Sequence, residues 1–64
     1  MGEAIRLAIA ICPLVIVDTV YANTVLFTFR AEAGAREFAE AMSARFSEFR
    51  IARLGREVLV SRTA

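Results

Sequence analysis

Residues 14–30 read LVIVDTVYANTVLFTFR, and the pattern of this stretch predicts a β-hairpin. Both halves are rich in β-branched and aromatic residues, and every second residue of the second half is valine or phenylalanine. Such alternation places successive side chains on opposite faces of a strand. The polar break at Ala22-Asn23 is typical of a short hairpin loop. We therefore expect antiparallel strands over residues 14–21 and 24–30.

The N-terminal residues also alternate, in this case between large and small side chains. Ile5, Leu7, Ile9 and Ile11 are each separated by an alanine or by Arg6. On a strand the four large residues would share one face, whereas on a helix they would scatter around the axis. The pattern therefore predicts a strand over residues 4–11, which Pro13 would end because proline lacks a backbone N–H group.

Two other interpretations of this apolar segment stay open. Residues 7–17 are uniformly apolar, as in a signal peptide. Cleavage after Ala22, however, would leave a chain close to the length below which domains seldom fold without disulfide bonds or a bound metal. Residues 7–29 are long enough to span a membrane. Such a span would contain Asp18, whose insertion costs about 2.5–3.5 kcal/mol. A small membrane or secreted protein is thus the less favoured alternative.

Residues 31–49 are rich in alanine, glutamate and arginine, and their spacing predicts one amphipathic helix. The apolar residues that fall within one arc of about 100° are Ala35, Phe38, Ala39, Met42, Phe46 and Phe49. Glu32 and Arg36 form an i,i+4 pair with the acid first, the order that stabilises helices. Continuing the helix beyond residue 50 would bring Arg53 into the apolar arc, so we expect it to end near Phe49.

The C-terminal residues predict a second hairpin with strands over 50–54 and 57–62. Gly55 would supply the positive φ of a type I turn with a bulge or of a type II turn. The alternative is that Gly55 ends the helix as its C′ residue. The expected fold is a single small α+β domain over residues 1–64, with two layers, an antiparallel sheet of four to five strands and one helix on one face.

The predicted sheet has apolar side chains on both faces, since Val15 and Val17 alternate with Leu14 and Ile16. One helix covers one face only. The other face would be hidden if two copies associated, so we expect a homo-oligomer, most simply a dimer.

The residue inventory predicts a protein that is not an enzyme. Histidine is absent, Asp18 is the single aspartate, and Cys12 is the single cysteine. General acid–base catalysis, structural zinc and an intramolecular disulfide are therefore disfavoured, and we expect neither a metal nor a cofactor. A cytoplasmic location agrees with this inventory.

The expected function is binding of a protein partner, either a second copy or a protein that the chain inhibits or regulates. By size alone the chain is similar to phage-encoded inhibitors, which is an analogy and not a motif match. An arginine-rich hairpin makes nucleic-acid binding the alternative. The candidate partner-binding residues are Arg50, Arg53, Arg56, Arg62, Asp18 and Tyr21.

Overall fold

Both predicted hairpins form, and together they build one antiparallel sheet. The computed structural model describes residues 1–62, which contain two helices and four strands. In chain order the elements are α1 (Gly2–Ile11), β1 (Ile16–Tyr21), β2 (Thr24–Thr28), α2 (Glu32–Arg45), β3 (Phe49–Leu54) and β4 (Glu57–Arg62). The strand order is β1-β2-β4-β3, so β1 and β3 are the edges. The small α+β fold with an antiparallel sheet is confirmed.

The strand predicted over residues 4–11 is wrong, because these residues lie in helix α1. The alternation was one of size and not of polarity, since every residue there except Arg6 is apolar. Ala4 and Ala8, one helical turn apart, are completely buried. Small side chains at this spacing let α1 approach α2 closely, whereas the larger Ile9 is partly exposed.

The helix predicted over residues 31–49 is confirmed in its first part, but it ends at Arg45. Phe46 is its extended C-cap residue, and Phe49 is the first residue of β3. The two rings remain in contact, 5.7 Å apart between centroids with an edge-on orientation. Because both side chains pack against the same core in either arrangement, apolar spacing did not distinguish a longer helix from a turn into a strand.

The second hairpin has a two-residue loop, and Gly55 is its first residue. Gly55 has a φ of 61°, whereas Arg56 has no positive φ. A positive φ at the first position alone is the pattern of a type II′ turn, which matches the twist of the flanking strands. The positive φ is as predicted, but the turn types expected from the sequence and the helix-ending role of Gly55 are not observed.

The apolar core lies between both helices and one face of the sheet. Phe38 of α2 packs against Phe27 of β2 and against Phe29, which directly follows β2, with ring centroids 4.7 and 5.2 Å apart. The core residues are Ala4, Ala8, Val25, Phe27, Phe29, Ala35, Phe38, Met42, Phe49, Val58 and Val60. All sheet members of this set project toward the helices, so the opposite face of the sheet carries no covering element among residues 1–62.

Candidate interaction surface

The strand register determines which side chains point away from the helices. Directly paired residues of antiparallel strands project to the same face. Leu26 lies between the buried residues of β2 and therefore points outward. It pairs with Asp18 on one side and Leu59 on the other, and Leu59 pairs with Ala52. These four residues form a central row across the sheet.

Two further rows flank the central one. The first consists of Ile16, Thr28, Glu57 and Leu54, and the second of Tyr21, Thr24, Ser61 and Arg50. A register shift between Thr19 and Tyr21 is what places Tyr21 opposite Thr24. We call the surface formed by these three rows the outer face.

The outer face is largely apolar at its centre and along one end. Leu54 is 81% exposed, Ile16 58% and Leu59 38%. Leu26, Ala52, Leu54 and Leu59 line a shallow depression of about 250 Å³ together with Glu57 and Arg53. Apolar side chains gathered at the centre of a polar rim are characteristic of protein interfaces.

Three of the sequence-predicted residues lie on the outer face. Asp18 projects from edge strand β1, Arg50 from edge strand β3, and Tyr21, which is 71% exposed, from the end of β1. The sheet thus carries an acid on one edge and a base on the other. Glu57 adds a second carboxylate on the outer face.

The other three predicted residues lie elsewhere, so the hairpin arginines do not line one surface. Arg53 projects to the helix side, where its guanidinium lies 3.7 Å from Glu32 and donates a hydrogen bond to the Gly55 carbonyl at 3.1 Å. Arg62 also lies on the helix side, with its guanidinium 5.7 Å from the centre of the Phe49 ring. Arg56 lies in the β3–β4 turn.

Three apolar residues of the outer face were not predicted from the sequence: Leu26 and Leu59 at its centre and Leu54 at one end. The outward position of Leu26 was predictable, because Leu26 lies between Val25 and Phe27, which the sequence pattern assigned to the core. Similarly, Arg50 and Arg53 are three residues apart, and such residues of a regular strand project to opposite faces.

Within residues 1–62, no three His, Cys, Asp or Glu side chains are placed to hold a metal ion. Cys12 is half buried and packs against the core. Neither described helix is both long and apolar enough to cross a membrane.

In the part of the chain that the structure describes, the carboxyl group of Glu3 has a shifted pKa, and Glu3 lies in α1, away from the outer face. The pKa of Glu3 is lowered from its ordinary value, chiefly by a hydrogen bond from its own backbone amide. The positive N-terminal amino group lowers this pKa further, and Arg6 and Arg62 add smaller effects. This charge cluster stabilises the start of α1 rather than forming a site.

Searches of the chain against protein-family models, curated proteins and solved structures find no match.

Proposed function

We propose that this chain is a small non-catalytic protein-interaction module that binds another protein molecule through the outer face. The observation that carries the proposal is the uncovered apolar surface of the outer face, formed by Leu26 and Leu59 at its centre and by Leu54 at one end. The proposal includes self-association, as in a homodimer, and inhibition or regulation of a different protein. A cytoplasmic location belongs to the same proposal and agrees with the free thiol of Cys12.

Burial of these side chains would supply the binding free energy. Complete burial of a leucine or isoleucine side chain contributes roughly 1.5–3 kcal/mol relative to exposure. Leu54 and Ile16 are still mostly exposed, so most of that contribution is unused in the isolated chain. A flat apolar sheet surface suits another protein surface better than it suits a small molecule.

The charges on the outer face favour a protein over a nucleic acid. Among the residues of the three rows, Asp18 and Glu57 are two carboxylates against one base, Arg50. Arg53 and Arg56 lie at the margins of the face, so its charge is mixed, whereas binding to phosphates requires a concentration of positive charge. Arg53 and Arg62 project to the helix side, so they could not act together with Arg50 on one flat contact. Nucleic-acid binding is therefore the competing outcome that the experiment must separate.

Photo-crosslinking from the outer face tests the proposal. A photoreactive amino acid replaces Leu59, and a matched control carries it at Glu37, an exposed position of α2. We expect protein adducts from the Leu59 site only, formed either with a second copy or with another protein of the source cell. Equal yields from both sites, or adducts with nucleic acid alone, would contradict the proposal.

A salt titration with random DNA and RNA gives an independent readout. A nucleic-acid-binding module would bind at low salt and lose affinity steeply as salt rises. We expect no binding at about 50 mM salt.

A further inference from the structure

We propose that the protein on the outer face is a second copy of this chain, packed face to face on the first. The two copies are related by a twofold axis that lies between the two sheets, parallel to the strands and level with the boundary between β2 and β4. This inference rests on the proposed function, because it names the partner of the same surface. The positions of the apolar and charged side chains in the three rows favour this partner.

A twofold axis in this direction stacks each strand on a different strand of the second copy. It places β1 over β3 of the second copy and β2 over β4 of the second copy, with each row facing the same row. Leu26 then faces Leu59 of the second copy, and Ile16 faces Leu54 of the second copy. The most exposed aliphatic side chains of the outer face are thus all covered by aliphatic side chains.

The charges of the outer face also become complementary in this arrangement. Arg50 of the second copy faces Tyr21, where its guanidinium can stack on the ring. Asp18 lies in the adjacent row, about 7 Å along the strand, which is within reach of the arginine side chain. Glu57 faces Thr28 of the second copy, whose hydroxyl can donate to the carboxylate. Twofold symmetry repeats each contact.

The alternative face-to-face axis runs across the strands through the central row, and the charges disfavour it. That axis places each strand over its own copy, so Asp18 would face Asp18 of the second copy. It would also place Arg50 over Leu54 of the second copy. Like charges facing each other across an interface disfavour association.

The size of the outer face indicates a weak dimer. Four strands of five residues span roughly 19 by 16 Å. Because projecting side chains make each surface uneven and so increase its accessible area, two such faces bury on the order of 1,000 Å². This area is at the lower limit of specific interfaces. We therefore expect the full chain to dimerise reversibly with a dissociation constant in the micromolar range.

Charge reversal tests both the dimer and its axis. Asp18→Arg alone places two arginines together across the proposed interface, and Arg50→Asp alone places two aspartates together. We expect each variant to dimerise about tenfold more weakly than the unchanged chain. An equimolar mixture of the two variants should restore association, because opposite charges then meet at both positions. The double variant Asp18→Arg/Arg50→Asp should restore it as well.

The two positions are well suited to this test. Both side chains are exposed at strand edges, so the variants should fold, which circular dichroism verifies. Within one copy their backbones are about 16 Å apart, beyond the screening length of about 8–10 Å at physiological salt. Glu37→Arg is the matched control for Asp18→Arg, since it makes the same change in charge on α2.

Sedimentation equilibrium from micromolar to millimolar concentration is the measurement. A chain that stays monomeric throughout would overturn the inference, as would a dimer that neither single variant weakens. A monomer that still gives protein adducts from the Leu59 site would refute the second copy as partner but leave the proposed function intact. A monomer without such adducts would refute both.

Discussion

The ring of Phe38 on α2 lies 4.7 Å from the ring of Phe27 on β2, and both side chains are completely buried. This tilted contact joins the helix layer to a central strand of the sheet. Val58, on the neighbouring strand, pairs with Phe27 and is buried with it. The position of α2 over the sheet, and thus the choice of covered face, depends on this cluster.

Truncation of Phe38 should remove much of the stability of the chain. Phe38→Ala creates a cavity between α2 and the sheet, and such changes cost about 3–5 kcal/mol. The free energy of unfolding of a domain of this size is only a few kcal/mol to about 10 kcal/mol. Urea denaturation should therefore show a partly or largely unfolded variant. Leu14→Ala, at an exposed position, should change the unfolding free energy by about 0.5 kcal/mol or less. Equal effects of the two variants would contradict this core.

Two alanines of α1 should respond differently to enlargement. Ala8 is completely buried in the core, whereas Ala10 is exposed. Ala8→Leu should cost about 1–3 kcal/mol through overpacking, and Ala10→Leu should be nearly neutral. Thermal unfolding followed by circular dichroism measures both. The pair also tests the helix itself, because on a strand both residues would lie on one face and respond alike.

The first hairpin was predictable because valine or phenylalanine recurs at every second position, as at Val25, Phe27 and Phe29, and the second because Gly55 marks its turn. Helix α1 was not, because a nearly uniform apolar segment has no polar face to reveal its period. The end of α2 was ambiguous, since Phe46 and Phe49 contact the core on either path. An uncovered apolar face was expected from the sequence. Which residues share a row on that face could not be predicted, because this depends on the register between β2 and β4, two strands far apart in the chain.

Two glycine-to-alanine changes should have opposite signs. Gly55→Ala should destabilise the chain by roughly 1–2 kcal/mol, because φ is 61° and a left-handed backbone disfavours a Cβ atom. No neighbouring atom lies within 4 Å of that Cβ position, so backbone strain alone is measured. Gly34→Ala should stabilise by up to about 1 kcal/mol, because the residue is helical. Its Cβ would meet Phe29 at an ordinary contact distance of 3.4 Å. Chemical denaturation of both variants gives the two signs, and the same sign for both would contradict the assignment.

Glu3 should make the stability of the chain dependent on pH in the acidic range. Its pKa in the folded chain is lowered from 4.5, so its contribution is present above the unfolded value and is lost as pH falls through the folded value. Glu3→Gln should therefore lower the melting temperature near neutral pH, and the difference should vanish in acid. Melting curves between about pH 3 and pH 6 test this, with Glu40→Gln as the control for loss of one charge. A difference that persists at the lowest pH would refute an ionic origin.

Leu59 should matter for association much more than for folding. Its side chain lies in the central row of the outer face and is already 38% exposed, so Leu59→Ser removes little core packing. At concentrations where the chain is monomeric, we expect the unfolding free energy to fall by about 1 kcal/mol or less. At higher concentrations the same change should remove the proposed contact with Leu26 of a second copy, so we expect dimerisation to weaken at least about tenfold. Ile9→Ser is the matched control, because Ile9 is a partly exposed aliphatic residue on α1, away from the outer face. Sedimentation of the three proteins separates the effects: equal weakening by both substitutions would mean that association depends on general hydrophobicity rather than on this face of the sheet.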